Sequence, residues 1–177
     1  MDEKVLNLRG NLILYPTQLQ TIDQLLDHII EKLPARLALL TQTSGQMVAF
    51  RAASGGAQNV DSHALGALIA GDLAASREIA RVTGTYEECQ LVLRQGQQVH
   101  TLIAEVGNEF ALLVQVNSQT PLGWARMVTL DTAKQLAQAV QPITPPASDW
   151  SADTNQDLSQ LIGDSLDSIW TEGPDVR

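Results

Sequence analysis

Three apolar runs in the second half of the chain, residues 90–95, 98–106 and 109–116, are separated only by Gln95-Gly96-Gln97 and Gly107-Asn108. Connections this short join strands as hairpins, because a parallel crossover needs a dozen or more residues. Gly-Asn between two apolar runs is a tight-hairpin signal. The chain is therefore committed to an antiparallel meander, and the rest of the sequence must supply what covers it. A further hairpin is predicted upstream, from residues 36–43 and 47–53, closed at Ser44-Gly45.

Helical periodicity brackets these strands. Leu19, Ile22, Leu25, Leu26, Ile29, Ile30 and Leu33 recur at helical spacing over residues 17–33, and Pro34 stops the pattern. Asp61 or Ser62 can cap a long helix running to about residue 82. Pro121 opens a last helix that reaches about residue 140. Residues 5–15 alternate apolar and polar, which predicts a strand interrupted near Gly10-Asn11. The fold class expected is α+β, an antiparallel five-stranded sheet flanked by helices in the order αββαβββα, with an extra N-terminal strand.

Charge divides the chain further. Residues 149–177 hold seven acids and one arginine, so two thirds of the net charge of −9 lies in that last stretch. Gln141-Pro142-Ile143-Thr144-Pro145-Pro146 just before it reads as an extended linker. The expected organisation is an N-terminal strand extension at 1–16, a body at 17–141, a Pro-rich and acidic linker at 142–157, and a short amphipathic helix at 158–171. Within that last segment Leu158, Leu161, Ile162, Leu166, Ile169 and Trp170 form the apolar set that would dock on a partner or on the chain's own body. Gly163 weakens its isolated helicity by ~1 kcal/mol relative to alanine.

Several function classes are excluded on composition. Three lysines in an acidic chain cannot build a phosphate-tracking surface, so nucleic acid is not an expected partner. Acidic polar residues in the tail would be repelled by anionic lipid, and no apolar run reaches the ~20 residues of a membrane span. The single cysteine excludes an internal disulfide and a cysteine-based zinc site. A cytoplasmic location is expected, with no cofactor and no metal.

The catalytic inventory is equally thin. Asp61-Ser62-His63 invites a triad reading, but neighbouring residues cannot line up as nucleophile, base and orienter, and helix capping accounts for them. Ser54-Gly55-Gly56 lacks the Lys-Ser/Thr step of a phosphate loop. Ser44-Gly45 has no base nearby and lacks the glycine flanks of a nucleophile elbow. No catalytic residue is assigned, and the chain is not expected to be an enzyme.

The helix of residues 62–82 is apolar around more of its circumference than a surface helix requires. One face, with Leu65, Leu68, Ile69, Leu73, Ile79 and Ala80, is expected to bury against the sheet. A second face carries Gly66, Ala70 and Ala74, small residues that would let another helix approach closely, with Arg77 and Arg81 at one end for a partner. Asp72 falls inside the sheet-facing arc and has no evident role there.

The element order, the hairpin ALLTQTSGQMVAFRAA, the helix LGALIAGDLAASREIA, the turns at Gly96 and Gly107-Asn108, and TPLGWARM opening the last helix together resemble the Roadblock / dynein light chain family, most nearly its bacterial MglB-like branch. The resemblance spans about residues 17–140. It implies a homodimer in which the long second helices pack together and edge strands extend the sheet. It also implies a small Ras-like GTPase as partner, whose own catalytic residues the dimer positions, activating or co-activating hydrolysis without a catalytic side chain of its own. The alternative within the family is a non-catalytic scaffold or adaptor, as in dynein-type light chains.

Overall fold

A computed structural model describes residues 6–7, 13–55, 60–85 and 91–141. The expected linker at 142–157 and helix at 158–171 lie outside the described residues. In chain order the elements are β1 (Leu6–Asn7), β2 (Ile13–Leu14), α1 (Pro16–Lys32), β3 (Ala35–Gln42), β4 (Met47–Ala52), α2 (Ser62–Thr83), β5 (Leu91–Gln95), β6 (Val99–Val106), β7 (Phe110–Asn117) and α3 (Leu122–Ala139). Every element expected in the body is present, with ends displaced by a residue or so.

Strands β3 to β7 form one antiparallel sheet in the order β4-β3-β7-β6-β5. The meander closes where the glycines stand. Val106 pairs with Phe110 across a turn in which Gly107 takes φ +58°, a left-handed conformation that glycine adopts without strain. At the upstream hairpin Gly45 sits at φ +88°, and Ser44 Oγ donates to Gln42 Oε1 at 2.8 Å. That serine braces its own turn.

The N-terminal segment departs from expectation. Instead of one interrupted strand, β1 and β2 pair with each other as a separate two-stranded sheet, Leu6 opposite Leu14 and Asn7 opposite Ile13. Leu14 is nevertheless fully buried and belongs to the main core.

Alternation along the strands builds two cores, one on each face of the sheet. Ala38, Leu40, Leu102, Ala104, Leu112 and Val114 face α1 and α3, joining Ile22, Leu26, Ile29, Val128 and Leu136. Leu37, Leu39, Ile103, Ala111 and Leu113 face α2 and meet only Ile69 and Leu73 as its large buried residues. Cover on both faces explains why β3 reads as a near-continuous apolar run rather than an alternating one.

Two devices fix the helices on this sheet. Buried Gln18 accepts from the Tyr15 backbone N–H at 3.1 Å and donates to the carbonyls of Ala139 and Gln141, each at 2.8 Å. It thus ties the start of α1 to the end of α3 and satisfies carbonyls that a helix end leaves unpaired. Arg51 on β4 reaches Asp23 at 2.8 Å and Asp27 at 2.9 Å on α1. At α2 the capping is as expected. Asp61 accepts from the backbone of His63 and Ala64, and Gly84 ends the helix at φ +68°.

Gly66 is where α2 comes down on the upstream hairpin. A Cβ there would lie 2.9 Å from the Gly45 carbonyl oxygen and 3.1 Å from Thr41 Oγ1. Gly66→Ala is accordingly expected to destabilise the fold by about 1–2 kcal/mol, since forcing α2 off the hairpin outweighs the ~1 kcal/mol that alanine gains in a helix interior. Urea unfolding of the variant beside wild type measures it, and a stabilised variant would show that the contact gives way freely.

Candidate functional site

His28 and His63 are exposed, and His100 is partly buried on β6. The larger grooves offer no titratable cluster. One of about 720 Å³ at the end of the sheet is lined by polar side chains such as Gln97, Gln98, Asn117 and Ser118, with Arg36 as its charge. Neither His63 nor His100 lines it, nor the grooves beside Phe110 and beside Leu68. No group of three or more metal-ligating side chains occurs among the described residues. No helix among them is long and apolar enough to cross a membrane.

The distinctive surface is the side of α2 turned away from the sheet. Only Gly66, Ile69, Leu73 and Ala80 are buried, a narrow arc because one helix laid on a sheet covers one stripe of itself. Leu68 and Ile79, expected beneath the helix, are instead 70% and 65% exposed, and Val82 is 71% exposed. Leu68 and Ile79 each lie roughly 100° around the helix from a buried neighbour, taking 100° per residue. They share the outer side with Ala64, Ala67, Gly71, Ala74 and Ala75, all exposed. The result is an apolar stripe with little polar cover on a surface where charged residues would be ordinary.

The small-residue face anticipated from sequence is thereby redistributed. Gly66 is occupied inside the chain against Gly45 and Thr41, so its lack of a side chain serves the chain's own packing. Ala70 is partly buried, and Ala74 is exposed. Gly71, which the sequence did not single out, lies on the open side with nothing within 4 Å of a Cβ built on it.

Both arginines named for a partner are engaged within the chain. Arg77 Nε donates to Glu105 Oε1 at 2.7 Å, and the Glu105 side chain on β6 is only 9% exposed. Arg81 donates to Glu78 from Nε and Nη2, at 2.9 and 2.6 Å, one turn apart on the surface. That hydrogen bonding holds the Glu78 carboxyl below its ordinary range and raises Arg81. A lowered carboxylate favours the fold above the ordinary carboxylate range and loses that contribution as acid protonates it. Both groups are solvated, so the effect on stability is slight. The tail residues Leu158, Leu161, Ile162, Leu166, Ile169 and Trp170 lie outside the described residues.

Beside the apolar stripe, β5 ends the sheet among the described residues, next to β6. An open groove of about 640 Å³ runs between α2 and the β5–β6 edge, walled by Leu65, Leu68, Ile103 and Leu113 and crossed by an ion pair between Asp72 and Arg94. The sheet-facing acid without a role thus has a partner across the groove.

No protein-family model and no curated protein matches this sequence. Solved structures do. The gliding protein MglB of Thermus thermophilus superposes with a TM-score of 0.68 at 23% identity, over 75% of this chain and 98% of that one. MglB of Myxococcus xanthus gives 0.61 at 24% identity, over 66% and 92%. A Roadblock/LC7 domain from Streptomyces avermitilis gives 0.55 at 16%, over 68% and 94%. With five antiparallel strands in this order and, among the described residues, two helices on one face and the long second helix on the other, the chain has the Roadblock fold in the form seen in MglB structures.

Proposed function

We propose that this protein is a homodimeric regulator of a small Ras-like GTPase, stimulating hydrolysis by positioning the GTPase's own catalytic residues. The observation that carries the dimer is the outer side of α2. Leu68, Ile79 and Val82 stand exposed among alanines and Gly71, beside β5, the end strand of the sheet among the described residues. A second copy would bury that stripe against itself, an isologous contact of the most common symmetry.

The regulatory part rests on the likeness to MglB folds and on chemistry that is missing. With Arg77 held by Glu105 and Arg81 by Glu78, neither arginine is presented as a finger for a transition-state phosphate. In this reading the dimer acts by orienting groups already on the GTPase.

Single-turnover GTP hydrolysis by the cognate GTPase, with and without this protein, tests the reading. The expected acceleration is roughly 10- to 100-fold, below the 10³–10⁵ that a supplied arginine finger gives. Complex formation without acceleration would favour the scaffold alternative, and neither complex nor acceleration would sink both. In the scaffold case, deleting residues 149–177 separates partner binding through the tail from self-association through α2.

A further inference from the structure

Arg36 owes its position to an irregularity in the sheet. The β3–β7 register jumps from Ala35 opposite Val116 to Leu37 opposite Gln115, so Arg36 is the extra residue of a bulge. Its carbonyl still accepts from the Ala53 N–H at 3.0 Å, which holds the backbone in place. The side chain stands exposed between buried Ala35 and Leu37. Bulges re-aim side chains, and this one turns a guanidinium into the polar groove at the end of the sheet.

The charge there runs against the rest of the chain. Among the described arginines, Arg51, Arg77, Arg81 and Arg94 are held by carboxylates. Arg36 has no such partner among the described residues, and no acid among them lines its groove. In a chain of 20 acids and 11 bases, an open guanidinium in an acid-free groove is out of the ordinary. Most of the remaining polar lining is carboxamide, from Gln97, Gln98, Asn117 and Gln119, with the Ser118 hydroxyl among them. Asn117 Oδ1 accepts from the Gln119 backbone N–H at 3.2 Å, so the amide nitrogen is the end left to donate. The Ser118 N–H donates to the Gln98 carbonyl at 3.0 Å, which ties the β5–β6 turn to the end of β7.

These groups suit one kind of ligand. A carboxamide carries an acceptor and an N–H donor side by side, as a peptide unit does, so the two can bond reciprocally. A guanidinium takes a carboxylate through two parallel N–H bonds. A single cation matches a single negative charge better than a polyphosphate. We propose that this groove binds an extended segment of a protein partner, with an aspartate or glutamate of that segment seated on Arg36 and its backbone bonded to the carboxamides. The groove shares no lining residue with the outer side of α2, so the proposal stands apart from the homodimer reading.

Titrating the isotope-labelled full-length chain with the peptide acetyl-Gly-Gly-Glu-Gly-Gly-amide tests this by NMR. The Arg36 Nε–H signal and the side-chain amides of Gln97, Gln98 and Asn117 should shift together and saturably. Arg126 is the internal control, an exposed arginine that also has no carboxylate partner among the described residues and does not line the groove. Its signal should stay in place. The same peptide with glutamine for glutamate, and the Arg36→Gln protein with the original peptide, should each bind at least about tenfold more weakly, since the charge-assisted fork is lost. Equal response at Arg126 and Arg36 would mark the ordinary attraction of exposed cations and overturn the proposal. Sodium acetate binding as tightly as the peptide would show a bare carboxylate site and overturn the peptide reading. Absence of any saturable shift overturns it as well. The wild-type titration reads the groove directly, so the test holds even if the variant fails to fold.

Discussion

Replacing Leu68 and Val82 with glutamate should yield a folded monomer whose self-association is weakened at least about 1000-fold, or about 4 kcal/mol. The two positions are 14 residues apart, roughly 21 Å along the helix and on the same side of it. Both are about 70% exposed in the single chain. Neither change removes a contact from the two cores, so circular dichroism and urea unfolding at low concentration should match wild type. In the proposed dimer four such side chains would be buried, each contributing about 1.5 kcal/mol or more. Four glutamates in their place would have to be desolvated against one another. Sedimentation equilibrium reads the change. If wild type and variant associate equally, α2 is not the contact. Under the proposed function, in which the assembled dimer positions the GTPase's residues, the same variant should also lose any effect on GTP hydrolysis.

Arg77→Ala is expected to lower folding stability by about 3 kcal/mol, at the lower end of what breaking a buried ion pair costs. The loss comes from Glu105, left without its cation at a site only 9% exposed on β6. Arg77 Nη2 also lies 3.5 Å from the Asn108 carbonyl, so the guanidinium holds the turn after β6 to α2 as well. Glu105→Gln in the Arg77→Ala background should recover more than half of the loss, because an amide tolerates that site better than an unpaired carboxylate. Urea midpoints of the two single variants and the double variant check this as a cycle. A loss below about 0.5 kcal/mol would place the pair among exposed ion pairs that contribute little. The experiment also separates stability from partner binding, which a bare Arg77 variant assayed only for GTPase stimulation would confuse.

The three hairpins of the sheet and the three helices were legible because their signals are local. Gly107-Asn108 and Ser44-Gly45 specify turns whatever lies around them, and Pro16, Pro34 and Pro121 punctuate the helices from within the sequence. The orientation of α2 was not legible in the same way. Its outer side carries Leu68, Ile79 and Val82 and its inner side Ile69 and Leu73, so apolar residues recur all round and periodicity cannot choose a face. Small size misled for a related reason. Gly66 and Gly71 are five residues apart and look alike in sequence, yet one is pressed against Gly45 and the other is open. Only the placement of the upstream hairpin distinguishes them. The ion pairs are further removed still. Arg77–Glu105 and Asp72–Arg94 join α2 to strands 28 and 22 residues away, and depend on a strand register that no local pattern encodes.

The strand order also sets a timetable for synthesis. β3 is flanked by β4, which follows it at once, and by β7, whose Leu112 pairs with Leu40 only after some seventy further residues have been made. Until then the growing chain presents an apolar strand with one side unpaired, the condition in which nascent chains aggregate or engage chaperones. Gln18 waits longer, since its acceptors at Ala139 and Gln141 lie 121 and 123 residues ahead. Folding of this domain is therefore a late event on the ribosome, and slow for its size, because its central pairing and its helix-to-helix tie both close over long loops.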